Sequence, residues 1–272
     1  MRKKQFIKRT GFAVLYLLIT SFITAMPEND APNPALQSIA PAKAAPHIVF
    51  LITEDSLNYE AHKTIPLFAQ LLEKQEGYQV TVLLGNGPQG AYVYPDFDII
   101  GKADLLVIFA RRIALPHKQM KQLKSYIASG RPVIGIRTAN HAFTAREKIA
   151  EGFEDWPEFV SSVLGCENRG YGPVEPGTDV TVNTNAANHP ILKGLPPQWH
   201  SEGNVYRVAP LLDSSITVLL TGKVNNITEP VAWVRHAGAS KVFYTSLGYP
   251  SDFQTIHFRK LILGGIKWAL AK

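Results

Sequence analysis

Four short segments concentrate side chains able to bind polar ligands or move protons. Glu54-Asp55 is a carboxylate pair directly after an apolar run. Arg111-Arg112 follows a second such run, and Arg137-Thr138-Ala139-Asn140-His141 a third. Tyr249-Pro250-Ser251-Asp252 follows a fourth. Carboxylates and an imidazole can share acid and base roles in proton transfer, which makes Glu54, Asp55 and His141 the candidate catalytic groups. Arg137 offers a rigid fork of donors suited to a carboxylate or to vicinal hydroxyls. Its structural alternative is an ion pair with Glu54 or Asp55. Arg111, Thr138, Asn140, Tyr249 and Asp252 are candidate substrate contacts, and so is His200, in the loop His200-Ser201-Glu202. Arg111 and Arg112 alternate around a strand end, so one of them is expected to face the site and the other solvent. Thr138 carries the lone hydroxyl of its turn, with no base adjacent in sequence.

A metal centre is not expected. His141, His200 and Glu54 could supply three ligands from separate loops, but no short ligand motif backs them. Nor is a nucleotide cofactor expected. Thr53-Glu54-Asp55-Ser56 has no glycine to admit a pyrophosphate, and its acids would repel one.

The elements that must position these groups alternate between strands and helices. His47–Ile52, Asp104–Phe109 and Pro132–Ile136 are apolar runs of the kind buried on both faces of a parallel sheet, and Tyr78–Leu84 is a further strand. Ile65, Phe68, Ala69 and Leu72 mark one helix face, with Pro66 placed in the first turn. Met120, Leu123 and Ile127 mark a second helix between Pro116 and Gly130. Thr178–Asn183, Ile216–Leu220, Val231–Arg235 and Lys241–Ser246 predict further strands with no long helix between them. Phe258, Leu261, Ile262, Gly265, Ile266 and Ala269 mark a closing helix. The pattern predicts a doubly wound α/β fold of flavodoxin-like type, mostly parallel, with helices on both faces. Ligands of such sheets bind beyond the carboxyl ends of the strands, where all four segments fall.

Charge narrows the partners. Of 272 residues, 28 are basic and 22 acidic, a formal net charge of +6. Arg2, Lys3, Lys4, Lys8 and Arg9 supply five of those charges, and from position 10 onward 23 bases face 22 acids. So balanced a domain is not expected to bind nucleic acid. The five bases precede the apolar stretch Gly11–Ala25, which is shorter than the ~20 residues of a spanning helix. Residues 1–25 are therefore expected to be a signal peptide, with an uncleaved anchor as the alternative. Residues 26–46 are an Ala/Pro-rich linker and 47–272 the domain. The expected location is periplasmic or secreted, with no stable membrane association. The single cysteine, Cys166, excludes an internal disulfide framework.

Gly135-Ile136-Arg137-Thr138-Ala139-Asn140-His141-Ala142-Phe143 resembles the strand-to-helix elbow of the ThuA-like (trehalose utilisation) proteins. His189–Leu195, Leu106–Leu115, Pro230–Trp233 and Val242–Pro250 resemble the same family in the same order. The resemblance implies a class I glutamine-amidotransferase-like sheet and a link to carbohydrate use. Glutaminases of that superfamily need an elbow cysteine, a histidine base and an orienting carboxylate. The matching positions here carry Arg137 and Tyr249-Pro250-Ser251, so amidotransferase chemistry is not expected. Two classes stay open. One is an enzyme acting on a small carbohydrate by acid/base chemistry. The other is a carbohydrate-binding or accessory module without catalysis.

Overall fold

The structure, a computed structural model, describes residues 44–271. The proposed signal peptide and most of the linker lie outside the described residues. Eleven strands and three α-helices follow in chain order: β1 (His47–Ile52), α1 (Ala61–Glu76), β2 (Gln79–Leu84), β3 (Leu105–Phe109), β4 (Leu115–Pro116), α2 (His117–Ala128), β5 (Val133–Ile136), β6 (Phe153–Glu154), β7 (Thr178–Val182), β8 (Gln198–Ser201), β9 (Thr217–Val224), β10 (Ile227–Ala237), β11 (Ser240–Thr245) and α3 (Ile256–Leu270). Nine strands form one sheet in the order β2-β1-β3-β5-β11-β10-β9-β7-β8. The first five are parallel, as the buried runs required. Their order is that of flavodoxin-like sheets, which reverses direction between β1 and β3. The last four extend the sheet by antiparallel pairing. β4 and β6 pair separately.

Both faces of the parallel half are covered. Ile48, Phe50 and Ile52 of β1 pack with Ile65 and Phe68 of α1 and with Phe258 and Leu261 of α3. Val49 and Leu51, pointing the other way, pack with Met120 and Leu123 of α2. Burial on both faces explains why these strands read as unbroken apolar runs.

Several elements differ from expectation. Helix α1 begins at Ala61, so Pro66 sits inside it rather than in the first turn. The proline removes one backbone donor, that facing the His62 carbonyl. Strands β9 and β10 run longer than their apolar centres because their ends pair in half-exposed positions. Pro230 is admitted to β10 at an irregularity next to Ala232, beyond the part that pairs with β11. His200 and Ser201 lie on the edge strand β8, not in a loop. No helix among the described residues is long and apolar enough to cross a membrane.

Candidate functional site

The carboxyl ends of β1, β3, β5 and β11 open on one rim, and Asn58 ties three of them together. This fully buried side chain donates from Nδ2 to the Thr53 carbonyl at 3.1 Å, Thr53 Oγ1 at 2.9 Å and the Phe109 carbonyl at 2.8 Å. Its Oδ1 accepts from the Thr138 hydroxyl. The turn after β3 is also stitched to the elbow, since Arg112 N–H donates to the His141 carbonyl and Ile113 N–H to that of Ala142.

Arg137 begins the elbow at φ 44°, in the left-handed region that an L residue occupies only under constraint. Gly135 makes the close approach possible: a Cβ there would stand 2.9 Å from the Tyr244 ring. The guanidinium is fully buried. It donates to the Ser246 carbonyl at 2.7 Å and to Asn204 Oδ1 at 2.6 Å. It lies 3.9 Å from the Tyr59 ring centre and 4.9 Å from that of Tyr206. The expected pairing with Glu54 or Asp55 does not occur. Two oxygens and aromatic faces hold the cation instead, with its Nε left unpartnered, and Arg137 supports the floor of the site without lining it.

Two cavities open on this rim. The first, about 500 Å³, is lined by Tyr59, Arg111, His141, Tyr171, Tyr206 and Tyr249, with the Ser56–Leu57 turn. The second, about 480 Å³, lies on the other side of His141 and Tyr171, which line both. Tyr171 and Tyr206 come from the irregular half, where an isolated bridge pairs them and sets their ring centres 4.8 Å apart.

His141 is the titratable group at the junction and is 4% exposed. Burial, then the positive charge of Arg112, Arg111, Arg146 and Arg137, holds its pKa well below the ordinary imidazole value. It is therefore neutral at physiological pH. Its Nδ1 lies against two side-chain amides, Asn140 Oδ1, which favours a proton on it, and Asn168 Nδ2, which favours a lone pair. The Asn168 amide, 3.0 Å from the same nitrogen, has Asn140 Oδ1 and the Tyr171 hydroxyl as its acceptors. With the proton on Nδ1, the lone pair is on Nε2. Asn140 and Asn168 act on His141 as positioning residues.

The remaining candidates divide. Arg111 and Tyr249 line the first cavity. Asp55 stands at the rim, but its Oδ2 takes the Arg111 guanidinium at 2.7 Å and its Oδ1 the Leu57 N–H at 2.7 Å. Each carboxylate oxygen holds one donor, so Asp55 positions Arg111. Glu54 is exposed and lines neither cavity, because alternation along the chain turns it away from the rim. The Thr138 hydroxyl is committed to Asn58. Asp252 is buried beneath the rim, where Oδ2 accepts from Gly248 N–H, Tyr249 N–H and the Ser201 hydroxyl and fixes the turn that carries Tyr249. His200 lies on the edge strand β8, lines neither cavity and pairs with Asp179 at 2.8 Å. His141, His200 and Glu54 do not come together, and among the described residues no three His, Cys, Asp or Glu side chains are placed to hold a metal ion.

Arg112 departs from the alternation expected of it. A left-handed φ of 50° turns its side chain inward, so it is buried and lines the second cavity rather than facing solvent. Cys166 sits at the same cavity, fully buried, and burial pushes its thiol up to about 12. Tyr59, Asn58 and Asn168 had no signal in the sequence beyond residue type.

The model of the family described as "ThuA: Trehalose utilisation" matches residues 49–269. A ThuA-like protein from Bacteroides uniformis superposes with a TM-score of 0.63 at 16% identity, covering 86% of this chain and 96% of that one. A ThuA-like protein from Parabacteroides merdae gives 0.61 at 18% identity, covering 83% and 90%. Identity this low establishes the shared fold. No curated protein sequence matches the chain.

Proposed function

Since the chain belongs to the ThuA (trehalose utilisation) family, we propose that it binds a sugar or sugar derivative in the rim cleft, with His141 as the proton-transferring group. The observation that carries this reading is the state of His141. The imidazole is kept neutral by burial and four arginines, is held at Nδ1 by Asn140 and Asn168, and stands between two cavities. A nitrogen base so placed can take a proton from a hydroxyl or from a carbon beside a carbonyl. The rings of Tyr59, Tyr171 and Tyr249 supply apolar faces for sugar C–H surfaces, and their hydroxyls and Arg111 supply polar partners.

The arrangement argues against hydrolysis by two carboxylates. That mechanism needs two acids flanking one bond, and here Asp55 is engaged by Arg111 while Glu54 faces solvent. It argues equally against amide transfer, because a permanently charged guanidinium at the elbow cannot attack a carbonyl.

Calorimetric titration of the purified domain with neutral and keto-sugars, followed by product analysis, tests the proposal. Turnover that is lost in His141→Gln while affinity stays within about threefold supports an enzyme. Binding without turnover supports a carbohydrate-binding module. Absence of binding to every sugar refutes the reading. We further propose export through the N-terminal segment and a small-molecule partner rather than nucleic acid. Mass spectrometry of the native protein should find the chain starting near Met26. An intact N-terminus retained in membranes would show an anchor instead.

A further inference from the structure

The second cavity contains a buried cation without an anion. Arg112 is 7% exposed. Its guanidinium reaches two neutral oxygens, the Thr144 carbonyl at 3.5 Å and the Tyr171 hydroxyl, and its Nε has no partner. Among the described residues no carboxylate lies within 4.0 Å of Arg112 or of Arg146, which lines the same cavity. Glu167, the acid at this cavity, is taken by Arg169 at 2.9 Å. The Asn140 Nδ2 amide is also buried there without an acceptor. A buried charge without a partner is strongly destabilising. The left-handed φ that turns Arg112 inward adds strain of its own. Such an arrangement is sustained when a ligand supplies the missing acceptors.

We propose that this cavity receives an oxyanion, a carboxylate or a phosphate, carried by the sugar whose ring occupies the neighbouring cavity. The inference rests on the sugar-binding reading for the ring and goes beyond it by assigning the ligand a negative charge. Arg112 presents a fork matched to such a group, Arg146 adds charge at the mouth, and the Asn140 amide adds a neutral donor. Neutral His141 stands between anion and ring, so the group it acts on would lie next to the charged end.

Calorimetry with glucuronate, gluconate, glucose 6-phosphate, glucose and trehalose tests this, with acetate and inorganic phosphate as the bare anions. An acidic sugar should bind roughly tenfold or more tighter than its neutral counterpart, the scale of one charge-assisted hydrogen bond. Arg112→Gln should abolish that preference and leave the affinity for neutral sugar within about twofold. Arg146→Gln, at an exposed position where folding is not at risk, should weaken the acidic ligand alone. Whether uronate or sugar phosphate is preferred identifies the source of the oxyanion. Neutral and acidic sugars binding equally, unaffected by either substitution, would overturn the inference and leave the sugar reading intact. Acetate or phosphate binding that depends on Arg112, with no sugar bound, would support the anion site and refute the sugar reading.

Discussion

Replacing Arg137 by lysine keeps the charge and removes the fork, so the change isolates what the planar guanidinium does. Arg137 makes two short hydrogen bonds, to the Ser246 carbonyl at 2.7 Å and to Asn204 Oδ1 at 2.6 Å. An ammonium on one flexible stem reaches one of these. Losing the other removes a charge-assisted bond of about 1.5–3 kcal/mol and strands a buried oxygen at about 1–3 kcal/mol. The stack on Tyr59 weakens as well, by roughly 0.5–2 kcal/mol at a desolvated site. These contributions overlap, and we expect a net loss of about 4 kcal/mol. For a domain of this size that lowers the melting temperature by roughly 8–16 °C. Urea unfolding at pH 7 followed by tryptophan fluorescence measures it, with thermal melts alongside. A loss below about 1 kcal/mol would refute the argument, because it would mean that the two oxygens find other donors and that the fork holds nothing in place.

Asn58→Ala should destabilise by about 3 kcal/mol, since it leaves the Phe109 carbonyl and the Thr138 hydroxyl buried without partners; an unchanged urea midpoint would contradict Asn58 as the tie between strand ends. Because the His141 pKa is depressed in the folded state, the unfolded chain takes up a proton below about pH 6.5 that the native protein refuses. Stability should therefore fall as pH drops from about 6.5 to 5, by up to ~1.4 kcal/mol per pH unit from this group. His47 and His189, also lowered by burial, add to the slope, so the check is the difference between wild type and His141→Gln, which should be visibly flatter. Cys166, with its thiol pushed up to about 12 and fully buried, should resist iodoacetamide at pH 8 in the native protein and react on unfolding; rapid native labelling would show the second cavity to be open to its floor.

The sequence by itself determined the sheet. Strands buried on both faces must be continuously apolar, so His47–Ile52 and its counterparts stand out, and the fold follows from their alternation with helices. It also located the rim, because the end of a parallel strand is a one-dimensional feature. The roles on that rim were decided by the tertiary structure. Whether Asp55 is a free base or a partner of Arg111 depends on two loops separated by 56 residues meeting at 2.7 Å. Whether Arg112 faces solvent or cavity depends on one backbone angle that no side-chain pattern encodes. His200 and Asp252 are of suitable chemistry, but one is paired with Asp179 on an edge strand and the other is buried beneath a turn. Tyr59, Tyr171 and Tyr206 carry no periodic signal; Tyr59 reaches the cleft on the turn after β1, and Tyr171 and Tyr206 on loops of the irregular half that an isolated bridge joins. Periodicity reports burial along one element. The direction of a single side chain at the end of that element is set by contacts with others, which is why the chemistry of this site became legible only once the chain was folded.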